Sequence, residues 1–280
     1  MRPEARACAP WRPGAVPVSP KRRALLRGLL CSPLAGTAAA NGVQSKVPIL
    51  VFHRFAAAAI DSMTVRVARF QAQLKVLENL ACNVIPLSDW VAWRRGERDS
   101  LPPRAVVLTA DDGHRSQFEV MAPLLHACGW PVTLFVYPSA ISNASYAMTW
   151  PQLRELLAEP GFAVQSHTYW HPNLLKERDR MSPDAFRRFA ADQLQRSRDT
   201  LQQRLSRTVS LLAWPFGLSD EGLWAQAADC GYQAAFSLGN RSASRRDPIF
   251  AIPRHLIVDS VDERQLTDLL EAAFKSGDAS

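Results

Sequence analysis

Residues 105–113 have the sequence AVVLTADDG, in which a largely apolar run ends at two adjacent carboxylates and a glycine. Residues 105–109 lack the strict alternation of a half-exposed strand, so we expect a strand that is buried on both faces. Strands of this kind form parallel sheets that helices cover on the outside. Reactive side chains collect at the carboxyl ends of such strands, and Asp111 and Asp112 occupy that position here.

Short apolar runs alternate with longer amphipathic runs on both sides of this strand. The pattern predicts strands at residues 47–53, 81–87, 105–109, 131–137, 161–166, 209–214, 233–238 and 250–258, and helices at residues 67–80, 117–128, 150–157, 182–205, 219–228 and 262–274. This alternation predicts an α/β fold with a parallel sheet, either a barrel or an open doubly wound sheet. No linker interrupts the pattern after residue 46, which indicates a single domain over residues 41–280.

The net charge of +7 is concentrated at the amino terminus. Residues 1–40 contain seven basic residues and one acidic residue, which leaves 26 basic and 25 acidic residues in the rest of the chain. A nearly neutral domain offers no basic stripe to a nucleic-acid backbone, so we expect no nucleic-acid partner.

The first 40 residues have the order of an export signal. Lys21-Arg22-Arg23 precedes a short apolar run, and small residues then lead to Ala38-Ala39-Ala40, which resembles a cleavage site. The paired arginines resemble a twin-arginine signal, which implies a bacterial protein that is exported to the periplasm or secreted. The apolar run is short and contains Arg27, so we expect no stable span of a bilayer core of about 30 Å. A disordered basic amino terminus is the alternative.

A second cluster of polar residues follows a predicted strand. His167 and His171 are four residues apart, a spacing at which a helical turn or a tight loop can bring two imidazoles to one ion. A surface helix has the same spacing, but the preceding apolar strand and Pro172 do not fit one. With Asp112 the histidines supply two nitrogens and one carboxylate, the ligand set of a catalytic zinc site. Asp111 would remain free to handle a proton, and a polar turn capped by Asp is the alternative.

A third cluster, Ala213-Trp214-Pro215-Phe216-Gly217, lies where another predicted strand ends. Two aromatic residues, a proline and a glycine offer a rigid turn, an apolar wall and exposed backbone N–H groups. These features suit a small acyl methyl group and a developing oxyanion. A core aromatic residue beside an ordinary turn explains the same pattern.

The three clusters together resemble the motifs of the polysaccharide deacetylase (NodB-homology) family. Residues 109–113 resemble its TFDDG motif, residues 167–172 its H-[ST]-x-x-H-P motif, and residues 213–217 its R-x-P-[YF]-G motif. They occur in the family's order, and the resemblance covers about residues 47–260. Residues 47–54 also resemble the opening strand of a subgroup that includes biofilm poly-N-acetylglucosamine deacetylases. The resemblance implies a distorted (β/α) TIM-like barrel that removes N-acetyl groups from an aminosugar polymer.

The resemblance also implies roles for the matching residues. Asp112, His167 and His171 would hold a divalent ion, by default zinc, with cobalt, nickel or iron as alternatives. Asp111 would act as the general base on a bound water. The partner implied is a polysaccharide that contains an N-acetylated aminosugar.

The third motif would supply the groups around the acetyl carbonyl. The backbone N–H of Phe216 would help to stabilise the oxyanion, and Trp214 would wall the acetyl pocket.

Two positions depart from the family pattern, and one role has two candidates. Ala110 replaces the usual Phe of TFDDG, and Ala213 stands where many members have the Arg that orients the base. Arg254, on a neighbouring predicted strand, is the candidate for that charge and for a substrate contact. We expect the general acid at His53, because the biofilm subgroup is circularly permuted and its L-x-H strand comes first. His255 is the rival and a further candidate for substrate binding.

Two other functions fit the same motifs. A metal-dependent deacetylase or amidase acting on peptidoglycan or a small molecule would use the same chemistry, with a lidded pocket favouring a small substrate. Residues 55–62 and 139–149 are the candidate lids. A non-catalytic carbohydrate-binding protein of the cell envelope would lack a ligand or the base, and this chain lacks neither.

Overall fold

The computed structural model describes residues 46–275, so the predicted export signal at residues 1–40 lies outside the described part of the chain. The strands are β1 (Lys46–Val47), β2 (Ile49–Phe52), β3 (Arg54–Ala56), β4 (Thr64–Arg66), β5 (Asn83–Val84), β6 (Ala105–Asp111), β7 (Val132–Val136), β8 (Phe162–Ser166), β9 (Leu211–Ala213), β10 (Ala234–Phe236), β11 (Ala243–Ser244) and β12 (His255–Leu256). The helices are α1 (Val67–Asn79), α2 (Leu87–Arg94), α3 (Ala122–Cys128), α4 (Trp150–Ala158), α5 (Leu174–Arg178), α6 (Pro183–Leu205), α7 (Glu221–Asp229) and α8 (Glu263–Lys275). None of these helices combines the length and the apolar character needed to cross a membrane.

Parallel strands form one curled sheet. Their order is β10, β9, β8, β7, β6, β2 and β12, and β5 pairs with the start of β6. Residues 252–256 join the two edges of this sheet, because Ile252 pairs with Phe236 of β10 and His255 pairs with Leu50 of β2. The predicted α/β fold, a distorted (β/α) TIM-like barrel, is confirmed.

Alternate residues of the strands pack into two separate apolar clusters. Leu108 and Ala110 of β6 belong to a cluster that is shared with the outer helices, whereas Val107 belongs to a second cluster. Because side chains alternate along a strand, this second cluster fills the interior of the barrel. Trp90 of α2 also belongs to it, so α2 contributes to the interior packing. Asp111 continues the inward row of Val107 and points into the barrel at its carboxyl end.

Two helix ends have well-known capping arrangements. Ser182 caps the start of α6, where its hydroxyl oxygen accepts a hydrogen bond from the Ala185 N–H at 3.3 Å, and Pro183 takes the first helical position. Gly129 ends α3 in the left-handed conformation, with a φ of +66°.

Several elements differ from the expectation. Helix α2 begins where the predicted strand at residues 81–87 ends, because Leu87, Trp90 and Val91 bury one helical face. The helix predicted at residues 117–128 starts with a π-helical turn, and α5 was not predicted. The strand predicted at residues 250–258 pairs regularly only in β12, since Pro253 has no N–H to donate.

Candidate active site

Asp111 ends β6 and points into the barrel, where it meets a buried arginine. The Nη1 and Nη2 atoms of Arg254 donate to Oδ1 and Oδ2 of Asp111, each at 2.7 Å. Both side chains are almost fully buried, with 0% of Arg254 and 3% of Asp111 exposed. A two-point bond of this kind fixes the orientation of the carboxylate.

The Arg254 guanidinium keeps Asp111 ionised in spite of its burial. Burial alone would raise the pKa of this carboxyl, but the charge and hydrogen bonds of Arg254, with a contribution from His167, lower the pKa to about 2. Arg254 also donates to Oγ1 of Thr109 at 3.3 Å, which helps to hold the guanidinium in position. Asp111 is therefore a carboxylate at neutral pH.

Asp112 turns away from Asp111 because its backbone is left-handed, with a φ of +75°. Its Oδ1 lies 3.7 Å from Nε2 of His167 and 3.6 Å from Nε2 of His171. One ligand-type atom from each of the three residues lies within 4.8 Å of the other two. The structure thus brings Asp112, His167 and His171 together.

The donor atoms and their spacing fit a small divalent cation. His167 Nδ1 lies 2.7 Å from the carbonyl oxygen of Ala213, so Nδ1 carries the proton and Nε2 presents its lone pair to the cluster. Burial lowers the pKa of His167 to about 3 and also lowers the pKa of His171, so both rings are neutral at neutral pH. Metal–ligand bonds in a tetrahedral site place neighbouring ligands roughly 3.4 Å apart. The distances from the Asp112 oxygen to the two imidazole nitrogens are close to this value.

Four residues of the site have strained backbone conformations. Asp112, Thr168, His171 and Phe216 have φ values of +75°, +63°, +64° and +59°, and they are half of the eight non-glycine residues with positive φ within residues 46–275. Each such conformation costs on the order of 1 kcal/mol or more and persists only where its surroundings fix it. The strain is therefore concentrated around the candidate ligands.

A cavity of about 320 Å³ lies beside these side chains. It is lined by His53, Arg54, Met63, Asp111, Asp112, His167, His171, Trp214, Phe216, Gly217 and Leu238. Seven of the residues predicted from the sequence therefore face one space, and they come from the ends of β2, β6, β8 and β9.

His53 faces this cavity from the end of β2. Its carbonyl oxygen accepts a hydrogen bond from Nε2 of Gln117 at 2.8 Å, which anchors the backbone. Its Nδ1 atom is buried and has no hydrogen-bond partner in the described part of the chain. A buried polar atom without a protein partner is a position where a ligand or a water can complete the hydrogen bond.

Trp214 and Phe216 form different parts of the cavity wall. Trp214 is fully buried, and its Nε1 donates to the carbonyl oxygen of Phe250 at 2.8 Å. Phe216 is 54% exposed, and its ring centroid lies 4.7 Å from that of His171. Trp214 thus forms a fixed, buried apolar part of the cavity wall, whereas Phe216 forms an exposed part of it.

Residues 98–235 match the family model that is described as polysaccharide deacetylase. The chain carries a polysaccharide deacetylase domain. The family that the three motifs predict is confirmed by this match.

Relatives and a solved structure agree with this assignment. YxkH of Bacillus subtilis (strain 168) is 24% identical over 211 residues, which cover 75% of this chain and 71% of that protein. A poly-beta-1,6-N-acetyl-D-glucosamine N-deacetylase of Staphylococcus aureus (strain MRSA252) is 21% identical over 208 residues, which cover 73% of this chain and 71% of that protein. The Streptococcus pyogenes deacetylase PplD in complex with acetate has a TM-score of 0.71 at 22% identity, and the match covers 80% of this chain and 98% of that chain. The structural match supports the barrel fold of the deacetylase domain.

Two of the predicted site residues of the deacetylase domain, Arg254 and His255, do not line the cavity. Neighbouring residues of a strand point to opposite faces, so Arg254 points inward and His255 points outward. His255 Nε2 lies 3.1 Å from the Ser242 hydroxyl oxygen, and His255 lines a separate depression beside α8. His255 thus lies outside this cavity, whereas His53 lines it. Arg254 lies buried against Asp111, the candidate base, and is not among the residues that line the cavity.

Two further residues beside the site were not predicted from the sequence. Arg54 lines the cavity, with Nη2 at 3.9 Å from Asp112 and Nη1 at 2.7 Å from Asp61. Gln193 of α6 is buried, and its Oε1 accepts a hydrogen bond from the Trp170 N–H at 3.1 Å. Arg54 could have been predicted as a site residue, because it directly follows the candidate general acid in the sequence. Gln193 has no such sequence signal, because it is one polar residue among many along a long helix.

Proposed function

We propose that this chain is a metal-dependent N-deacetylase that hydrolyses N-acetyl groups of an N-acetylglucosamine-containing polysaccharide and releases acetate. The observation that carries the proposal is a charged, buried Asp111 beside three converging candidate ligands, all facing one cavity of a polysaccharide deacetylase domain. By its name, the relative from Staphylococcus aureus acts on poly-beta-1,6-N-acetyl-D-glucosamine. We infer a substrate of the same class, either poly-N-acetylglucosamine or a chitin-like polymer.

Asp112, His167 and His171 would hold the cation, with zinc as the first candidate and cobalt, nickel or iron as alternatives. A cation held there supplies Lewis acidity, which polarises the acetyl carbonyl and lowers the pKa of water. The donor set has a single negative charge, since both imidazoles are neutral. Asp112, His167 and His171 would therefore leave a divalent cation with a net positive charge.

The remaining residues of the cavity would manage the protons and the developing charge. Asp111, held in place by Arg254, would accept a proton from water as the water oxygen bonds to the acetyl carbon. The Phe216 N–H would donate to the carbonyl oxygen as it becomes negative, and buried Trp214 would contact the methyl group. His53 would give a proton to the amide nitrogen as the C–N bond breaks, which yields acetate and a free amine.

Exposed aromatic rings beside the cavity favour a polymer over a small molecule. Phe216 and Tyr146 expose 54% and 44% of their surface. The Tyr146 hydroxyl lies 2.7 Å from the hydroxyl of Tyr137, whose ring lies 5.3 Å from that of His171. Aromatic rings with one apolar face and a polar tip suit the faces and hydroxyl groups of sugar rings. The candidate lid at residues 139–149 thus contributes an exposed aromatic ring, that of Tyr146.

Two other functions have less support. A peptidoglycan or small-molecule deacetylase would use the same residues, and only the substrate distinguishes it from our proposal. A non-catalytic carbohydrate-binding protein does not require a charged base paired with a buried arginine. Burial of such an ion pair is costly, and its retention at the end of β6 favours catalysis.

The test of the proposed function is acetate release by the full chain. Metal-free protein reconstituted with zinc, cobalt, nickel or iron would be assayed on poly-β-1,6-N-acetylglucosamine, chitooligosaccharides, peptidoglycan and N-acetylglucosamine. We expect release from the polymer or the oligosaccharides, its loss with a strong chelator, and a decrease of at least about 10³-fold in Asp111→Asn. Asp184→Asn, which changes an exposed carboxylate of α6, is the matched control and should retain activity.

Three results would contradict the proposal. Release from peptidoglycan or from the monosaccharide alone would favour the alternative deacetylase or amidase. No release from any substrate with any metal would favour a binding protein. Equal activity of Asp111→Asn and the wild type would remove Asp111 from the reaction.

We further propose that residues 1–40 direct export of the protein to the periplasm or the medium of a bacterial cell. The support is the order of Lys21-Arg22-Arg23, the apolar run and Ala38-Ala39-Ala40. Replacing Arg22 and Arg23 together by Lys should retain the full-length chain in the cytoplasm, as measured by cell fractionation. Unchanged export of that variant would contradict a twin-arginine signal.

A further inference from the structure

The segment that carries both candidate histidine ligands is contacted by α6 along its length. We call Ser166–His171 the histidine loop. The Trp170 N–H of this loop donates to Oε1 of Gln193 at 3.1 Å. The Trp170 ring also packs edge-on against Phe189, with ring centroids 6.0 Å apart. Two residues one turn apart on α6 thus hold the backbone and the side chain of the residue before His171.

The same face of α6 also contacts Ser166 and Tyr169 of the histidine loop. The Arg196 guanidinium carbon lies 3.9 Å from the centre of the Tyr169 ring. The Ser197 hydroxyl lies 2.8 Å from that of Ser166, and the Ser166 hydroxyl oxygen accepts from the Thr168 N–H at 3.3 Å. Phe189, Gln193, Arg196 and Ser197 follow the spacing of one helical face.

Polar residues on this face are buried, which requires an explanation. Gln193 is 2% exposed and Ser197 is fully buried. Burial of an amide or a hydroxyl is unfavourable unless each finds a hydrogen-bond partner, and an apolar side chain would fill the same space without that cost. Gln193 accepts from the Trp170 N–H, and the Ser197 hydroxyl lies beside that of Ser166, the last residue of β8, which also accepts a hydrogen bond from the Tyr232 hydroxyl at 2.7 Å. The polar groups are therefore placed to hold the loop and not only to pack the helix.

The histidine loop needs external support because of its backbone. Thr168 and His171 both have positive φ values, at +63° and +64°, although neither is glycine. Such conformations persist only when surrounding contacts fix them. Released from α6, the loop can relax toward ordinary backbone angles, and the imidazole of His171 would then move away from Asp112.

We propose that α6 braces the histidine loop and that Gln193 is a positioning residue for the metal centre. Gln193 acts through the Trp170 N–H, which fixes the peptide that precedes His171. The inference rests on the proposed function, because it concerns the ligands of the cation proposed there. Residues outside the ligand set that orient the ligands commonly change metal affinity by about 10–100-fold.

The test compares two glutamine variants of the same helix. Gln193→Met removes the acceptor of the Trp170 N–H and keeps the volume of the side chain. Gln202→Met is the matched control, because Oε1 of Gln202 accepts from the Val209 N–H at 3.1 Å, far along α6 from the histidine loop. Gln193→Glu keeps an acceptor atom at the same position and serves as the conservative variant.

The readouts are zinc affinity, from competition with a chromophoric chelator, and the visible absorption spectrum of the cobalt-loaded protein. We expect Gln193→Met to bind zinc at least about ten-fold more weakly than the wild type and to have an altered cobalt spectrum. Gln202→Met should match the wild type in both, and Gln193→Glu should recover most of the affinity. A purely structural role would instead lower the melting temperature of both Met variants and leave zinc affinity unchanged.

Wild-type zinc affinity and cobalt spectrum in Gln193→Met would overturn the proposal. If Gln193→Met does not fold, Ser197→Ala, which removes a smaller contact of the same face, must weaken zinc binding, and unchanged affinity there would also overturn it. A wild-type chain that binds no metal would overturn the proposed metal centre itself, and the brace with it. The two failures are thus distinguished by the wild-type titration.

Discussion

The buried guanidinium of Arg254 is the main cause of the low pKa of Asp111. Its pKa of about 2 is below the usual value of 3.8 because of Arg254, so the pair stabilises the fold above about pH 4 and loses this contribution as the pH falls toward 2. Arg254→Met should therefore raise the pKa of Asp111 and shift the acidic limb of the pH profile of kcat/KM to higher pH. The variant should also lose about 3–5 kcal/mol of stability, because a buried charge is left without its partner.

An exposed Arg–Asp pair provides the control for Arg254→Met. Arg66 bonds to Asp259 at 2.9 Å at the surface, and Arg66→Met should leave both the urea unfolding midpoint and the pH profile close to those of the wild type. An unshifted acidic limb in Arg254→Met would show that the guanidinium does not set the charge of Asp111.

His255 should make the stability dependent on pH although it lies outside the cavity. Burial lowers its pKa to about 4, so between pH 6.5 and 4 the unfolded chain binds a proton that the folded chain excludes. Stability should then fall with decreasing pH in this range, by up to about 1.4 kcal/mol per pH unit from this residue. Urea unfolding at pH 7 and pH 5 should show a smaller decrease in His255→Gln than in the wild type. His126→Gln, at an exposed histidine, should behave as the wild type, and an equal decrease in all three proteins would contradict the prediction.

At the scale of residues, the sequence predicted which side chains cluster as candidate ligands, but it did not predict which of two histidines faces the cavity. Asp112, His167 and His171 could be predicted because each follows a strand, and parallel strands end on one side of the sheet. Whether His255 competes with His53 depended on which face of β12 His255 occupies. That face is set by the pairing of β12 with β2, which no local pattern specifies.

Gly217 allows the turn after β9 to pass close to a neighbouring loop. Its φ is +69°, and an added Cβ would lie 2.5 Å from the Leu238 backbone nitrogen. Gly217→Ala should therefore force the turn away from Leu238, which displaces Phe216 and lowers both activity and stability. We expect a loss of about 2–4 kcal/mol in urea unfolding, from backbone strain plus the clash.

A substitution at Gly96 is the control that measures the backbone strain of a positive φ without a steric clash. Its φ is +77°, and a Cβ there would meet no atom within 4 Å. Gly96→Ala should cost only about 1–2 kcal/mol and leave acetate release unchanged. Equal losses in the two variants would indicate that the close approach to Leu238 has no consequence.

At the scale of elements, long periodic segments were predicted well and short ones were not. The helix predicted at residues 182–205 is α6, which extends over Pro183–Leu205. Helix α2 was missed because it has only eight residues, and its first residue, Leu87, was included in a predicted strand. β12 is short because Pro253 interrupts pairing, and only the tertiary structure shows that residues 252–256 join both sheet edges.

The candidate ligands connect elements that are distant in the chain, which couples metal binding to the stability of the barrel. Asp112 follows β6, and both histidines follow β8, so a bound cation would join these two strand ends. Zinc at about 100 times its dissociation constant should add about 2.7 kcal/mol of stability, which corresponds to roughly 5–10 °C in the melting temperature.

The melting temperature should respond to zinc only when the ligand set is complete. Asp112→Asn should lose most of the increase, whereas Asp89→Asn, at an exposed ion pair with Arg98, should keep it. An equal increase in both variants would mean that zinc stabilises the protein from another place.

The most direct test of the account is X-ray diffraction from zinc-soaked crystals at wavelengths on both sides of the zinc absorption edge. We expect one anomalous peak per chain, at about 2.0–2.2 Å from a carboxylate oxygen of Asp112 and from Nε2 of both His167 and His171. A peak bound by other residues, or no peak at all with these three side chains turned apart, would contradict the metal centre on which the proposed deacetylation depends.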